Sequence, residues 1–194
     1  GRAQLKYPNG SVTRLDHNSE IELKEFTESP QSIRVQISTG RIWQRVAKLL
    51  GKEEYVSQSQ SVVAAVRGTS YGHAIGITND QISNNQLDKI ITTEDFVEVK
   101  CVGDSQHGQI NEGYKGIFDC DGDKPDINEI DEEDKDEWFK FNQDQDELLD
   151  QQYPDGRFDH EHGQALGVTN LSDGSLPGAF VPRLASPIPV PGLI

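Results

Sequence analysis

The chain has 194 residues, a formal net charge of −15 and an isoelectric point near 4.6. With 18 Lys and Arg against 33 acidic residues, a nucleic-acid partner is excluded, because affinity for a phosphate backbone comes from cations that displace its counterions. Hydrophobic residues make up 34% of the chain and no run approaches the length of a membrane span, so a modest core with long surface stretches is expected and no membrane span.

From the N-terminus the sequence reads as β. "AQLKY" is followed by the turn "PNGS", "VTRL" alternates apolar and polar, "DHNS" turns again, and "EIELKEF" alternates once more. Ile33, Val35 and Ile37 point one way, Gly40 allows a turn or bulge, and Ile42 resumes the pattern. From Trp43 to Leu50 the spacing leaves strand and helix both open. The stretch "SVVAAVRGTSYGHAIGI", residues 61–77, carries an arginine and a Gly-Thr pair inside an apolar, β-branched run. Val62 to Val66 suit a central strand buried on both faces, Arg67 a carboxylate at the strand's end, and Gly68 a backbone geometry closed to other residues. Ser70 and His73 lie close together, but no third group is indicated and their spacing is not that of a known triad, so the stretch reads as structure and not as an active site. A short helix is expected around Gln86 to Ile91, "DFVEVKCV" reads as a returning strand, and Gly103 to Tyr114 as loop.

Composition changes at Phe118. From Asp119 to Asp150 fifteen acidic residues face three lysines. Ile127, Ile130, Trp138, Phe141 and Leu148 fall on one helical stripe, so Ile127 to Tyr153 reads as an amphipathic helix docking by a narrow apolar edge, with a disordered acidic linker as the alternative. From Tyr153 onward Gly, Pro and Asp dominate, and the Pro-rich end can lie extended in a groove. The domains expected are 1–117 as a β unit, 118–152 as an acidic loop and helix, and 153–194 as an irregular Gly/Pro-rich tail. The fold class is mainly β, solenoid-like or a sandwich of short strands, with an acidic helical appendage and an extended tail.

"NGSVTRLDHNSEIEL", "VQISTGRIWQRV" and "SQSVVAAVRGTSYG" together resemble the FecR-like domain of bacterial extracytoplasmic proteins. Its D/N-G-S turn falls on Asn9 to Ser11, its next run on Leu15 to Leu23, its L-x-x-G-x-I/V-W/R run within Ile37 to Val46, and its A-V-R-G-T-x-F/Y strand on Ala65 to Tyr71. The resemblance covers about Ala3 to Ile77, the second half of a typical domain of this kind. It implies a location in the periplasm or on the cell surface, no enzymatic activity, and either signal relay from an outer-membrane transporter to a membrane regulator or a place in a large envelope protein. The chain has no methionine, so it reads as a processed or excised product.

"DCDGDKPDINEID" is the strongest chemical motif. Carboxylates alternating around a glycine wrap oxygen ligands about Ca²⁺. Asp119, Asp121, Asp123 and Asp126 would supply ligands, and Glu129 or Asp131 the closing carboxylate, against the alternative of a solvated acidic loop. Cys101 and Cys120 fit one disulfide, or a pair of buried thiols. A bridge would pin the acidic loop to the last β-strand of the first hundred residues. His160 and His162, in "FDHEHG", share a strand face but have no third ligand, so a polar surface turn is expected. The function expected is a non-enzymatic protein-interaction or structural module of a bacterial envelope, meeting a partner or a second copy through a β-edge and the C-terminal tail. A periplasmic signal-relay domain and a surface hydrolase using clustered carboxylates are the alternatives.

Overall fold

The computed structural model describes residues 1–76, 87–103, 107–120 and 124–152, and the backbone of 167–171. Alternating runs separated by turn residues become strands: β1 (Arg2–Lys6), β2 (Val12–Leu15), β3 (Glu20–Glu28), β4 (Gln31–Thr39), β5 (Arg41–Arg45), β6 (Glu54–Gln58), β7 (Val62–Val66) and β8 (Ser70–Ile75). β9 (Asp88–Glu94), β10 (Phe96–Cys101), β11 (His107–Asn111), β12 (Tyr114–Phe118) and β13 (Asp126–Glu129) follow, then helix α1 (Glu137–Gln152) and β14 (Gly167–Leu171). Three segments differ from expectation. The short helix around Gln86 to Ile91 is the strand β9, since Ile90 and Thr92 alternate into the core while Lys89 and Ile91 point out. The loop from Gly103 holds β11, an antiparallel partner of β10. The helix expected from Ile127 begins ten residues later, because Asp126–Glu129 pairs with β12 as β13.

Two sheets stack face to face. The eight-stranded sheet runs β13-β12-β9-β8-β5-β2-β1-β14 and the six-stranded sheet β11-β10-β7-β6-β4-β3. All pairs are antiparallel except β4 with β6, which run parallel because β5 leaves for the other sheet between them. Gly40 makes that crossing at φ +81°, where a Cβ would stand 2.5 Å from Ser19 Oγ. The core lies between the sheets: Ile33, Val35 and Ile37 from β4, Val62, Ala64 and Val66 from β7, Ile42 from β5, Ile90 from β9, Val97 and Val99 from β10, and Phe118 from β12. The architecture is thus a β-sandwich with, among the described residues, one helix on its outside.

The Ala65 to Tyr71 strand end has a physical explanation. β7 sits inside the six-stranded sheet and buries Val62, Ala64 and Val66 on the core side, with Val63 and Ala65 half-covered on the other. Arg67 is exposed and forms no ion pair among the described residues. Gly68 has φ +120°, and a Cβ there would stand 2.9 Å from Lys48 Cα, so the residue serves both the turn and a close backbone approach. Thr69 then exchanges backbone hydrogen bonds with Val46. A disulfide joins Cys101, at the end of β10, to Cys120 beyond β12, and so ties the two sheets together. The Pro-rich tail at 172–194, with His160 and His162, lies outside the described residues.

Candidate protein-interaction face

Strand alternation puts one set of side chains into the sandwich and leaves the other on the outer face of the eight-stranded sheet. Cross-strand register lines these up in rows. Gln4 stands beside Arg14, Arg14 beside Trp43, Trp43 beside Gly72, Gly72 beside Ile91, and Ile91 beside Lys115. Arg41 pairs with Ala74, Ala74 with Lys89, and Lys89 with Ile117 in the next row. A side chain at Gly72 would press on the Trp43 ring at 3.3 Å. The result is a cationic face, Arg2, Arg14, Arg41, Arg45, Lys89 and Lys115, with Trp43 at its centre.

Helix α1 and its acidic approach cover this face. Asp136 caps the helix by accepting from Phe139 N at 2.9 Å, and the same carboxylate takes Arg41 Nη1. Trp138 and Phe139 bury against Trp43, the last two meeting edge to face at 5.5 Å. Farther along, the buried side of the helix is polar. Asp146 Oδ1 accepts from Arg14 Nη1 at 2.6 Å, and its Oδ2 from Trp43 Nε1 at 2.8 Å. Asn142 Oδ1 lies 3.4 Å from the same Arg14 nitrogen, and Asp150 takes Arg45. Arg2 stacks over Trp138 and Phe141 at 5.2 and 5.0 Å. The stripe expected from apolar spacing is therefore displaced: Leu148 is 56% exposed, and Asn142 and Asp146 are buried in its stead.

The approach to the helix is held by carboxylates too. Asp134 accepts from Lys89 and from Lys115, and Asp131 accepts from Lys115 at 2.7 Å. Burial works to raise the Asp134 carboxyl, but the hydrogen bonds from Lys115 and Lys89 outweigh it and bring it from 3.8 down to about 2. Asp16, its side chain almost fully buried, gathers Arg2, Arg41 and His17. There burial again opposes the hydrogen bond from Arg41, and the carboxyl ends below its ordinary value.

Of the calcium candidates, Asp121 and Asp123 lie outside the described residues. Asp119 follows β12; Asp126 and Glu129 are exposed on β13, three residues apart and so on opposite faces of that strand. Asp131 holds Lys115. Among the described residues no three His, Cys, Asp or Glu side chains gather as a metal site. Ser70 and His73 do not meet. Ser70 donates to Glu94, whereas His73 is fully buried between Ser57, at 3.0 Å from Nδ1, and Asp88, at 2.8 Å from Nε2. Tyr71 donates to Gln44 and accepts from Ser57, and Ser61 donates to Asp88, so the inward polar side chains of β5, β6, β8 and β9 form one chain of hydrogen bonds inside the sandwich. The cationic face is missed in the sequence, where its signal is the period-2 stripe Arg41, Trp43, Arg45 in the "GRIWQR" run, because the spacing leaves strand and helix both open from Trp43 onward.

Residues 1–87 match the family model described as FecR protein. No curated protein sequence matches the chain. Among solved structures, two crystal structures of a protein described as a "putative anti-sigma factor" from Parabacteroides distasonis ATCC 8503 share the fold, each with a TM-score of 0.53 and 16% identity over 68% of this chain. The chain spans 57% of the length of one of those solved chains and 56% of the other. Among the described residues no helix is long and apolar enough to cross a membrane.

Proposed function

We propose, from the match of residues 1–87 to the FecR family model, that the chain acts in the bacterial periplasm as a signal-relay domain of FecR type, passing on a signal by binding other proteins and catalysing nothing. The family match carries this reading, and the shared fold of a protein described as an anti-sigma factor agrees with it. The relay reading is favoured over the structural-module reading, which the resemblance in sequence also allowed, because the protein sharing the fold is described as a "putative anti-sigma factor". Two features support a non-enzymatic role. The Ser57–His73–Asp88 chain is enclosed in the core, and the acids Asp131, Asp134, Asp136, Asp146 and Asp150 are each held by Lys or Arg, not poised as an acid and base pair. The edge strand β3 bears Glu20, Glu22, Glu25 and Glu28 and two irregularities of register, devices that discourage edge-to-edge pairing and favour contact through a face.

Deleting the gene in its host and sequencing the transcripts tests the reading. A relay changes the transcripts of one sigma-factor regulon. A structural module instead alters envelope permeability or shape with every regulon unmoved, and that outcome would sink the relay. Calcium at the acidic loop is a second proposal, resting on the alternating carboxylates of Asp119 to Asp131. It predicts a higher melting temperature in calcium than in chelator, and equal melts would remove it.

A further inference from the structure

We infer that the outer face of the eight-stranded sheet is a docking surface for an acidic, aromatic-bearing helix of a partner protein, and that α1 occupies it in the free chain as a displaceable stand-in. The inference takes from the relay reading only that the domain has protein partners. Its own grounds are the chemistry of the face and the imperfect fit of α1 to it.

The face is specific about what it accepts. Along α1, Trp138, Asn142, Asp146 and Asp150 fall four apart on one stripe, and they meet in turn the aromatic patch at Trp43, the Arg14 guanidinium, and Arg45. A partner helix that fits the same rows needs an aromatic pair at its start and acids two and three turns later. Charge complementarity disfavours a basic or neutral helix, because Arg14 would be left buried without a carboxylate, although Arg2 and Arg41 keep Asp16 and Arg45 keeps Glu94.

The stand-in fits poorly at three places. First, Arg14 is buried with only one of its terminal nitrogens engaged. Nη1 reaches Asp146 and, at 3.4 Å, Asn142, while Nη2 has no hydrogen-bond partner among the described residues. A buried donor left without a partner weakens the docked state, and a carboxylate in place of Asn142 would bring a second negative charge to the Arg14 guanidinium. Second, a cleft of about 540 Å³ opens beside the start of the helix, lined by Ile91 and Ile117 together with Lys89, Lys115, Asp131 and Asp134, so the helix and its approach leave part of the face beneath them unfilled. Third, three of the holding carboxylates, Asp131, Asp136 and Asp150, have side chains 54%, 42% and 53% exposed, and ion pairs so open to water and salt hold weakly.

The test uses the full chain and two labelled peptides spanning residues 131–152, one native and one with Asn142→Glu. Binding is read by fluorescence anisotropy at low and high salt, beside the native chain and a chain whose own helix is loosened by Asp146→Asn. Peptide binding is expected to be about tenfold tighter to the loosened chain than to the native one, tighter again for the Asn142→Glu peptide, and weaker by about tenfold at high salt. Arg41→Gln with Arg45→Gln on the sheet should abolish the difference. If the Asp146→Asn chain does not fold, Asp136→Asn with Asp150→Asn replaces it, since both acids sit at the rim. Binding that ignores salt and the sheet substitutions overturns the proposal, as does a loosened, folded chain that binds neither peptide. The relay reading is untouched by either result, because it is judged on transcripts.

Discussion

At the scale of single residues, two positions carry effects that their side-chain types alone do not suggest. Gly68 combines a φ of +120° with a backbone neighbour at 2.9 Å from any Cβ. Gly68→Ala therefore adds both strain and a contact that flexible atoms cannot relieve, and about 2 kcal/mol of stability should be lost in urea denaturation. Arg14 and Asp146 form a buried pair with an asymmetric dependence. Asp146→Asn leaves the guanidinium enclosed without an opposite charge and should cost about 3 kcal/mol, whereas Arg14→Met together with Asp146→Leu should cost less than that single change. A double-mutant cycle by urea denaturation, with Trp fluorescence reporting on Trp43 and Trp138, measures the difference.

At the scale of elements, helix α1 is held chiefly by charge and so should leave its face before the sandwich unfolds. The sign follows from Asp134, whose carboxyl is depressed to about 2 in the fold. Its contribution is complete above the ordinary carboxylate value of 3.8 and fades as pH falls through about 2. Asp136, also lowered in the fold, acts in the same direction, while Glu94, which burial raises, opposes them from the rim. Between about pH 4 and pH 2, Trp fluorescence should therefore report undocking while the far-ultraviolet strand signal persists. Coincident transitions would show the helix to be an integral part of the core.

The strands that the sequence revealed are those whose alternation runs through β-branched residues, as in β4, or whose ends are marked by turn residues, as at β2 and β3. β9 was obscured because its inward positions include two polar side chains, Asp88, which His73 and Ser61 satisfy inside the sandwich, and Thr92, whose buried hydroxyl has no hydrogen-bond partner among the described residues, so the apolar period is broken. The disulfide was legible from two cysteines alone. The buried face of α1 was not, because apolar spacing marks Leu148 and passes over Asn142 and Asp146, whose burial depends on an arginine more than a hundred residues away in sequence. What a helix buries is set by the surface beneath it, and this surface is charged.

At the scale of the molecule, the Cys101–Cys120 bridge closes a loop of 19 residues that runs from one sheet to the other. Reduction should lower stability by about 3 kcal/mol with a larger urea m-value, as the freed chain expands more fully on unfolding. Equal stability with and without reductant would mean that the sheets hold each other unaided. The pairing of β1 with β14 bears on a different property. Arg2 faces Leu171 and Lys6 faces Gly167, so the first residue of β1 and the last of β14 lie at the same corner of the sheet. Tension applied between them peels the hydrogen bonds apart one after another instead of shearing them together. β14 is thus the first strand to give way under load, and it parts while the rest of the sandwich remains closed.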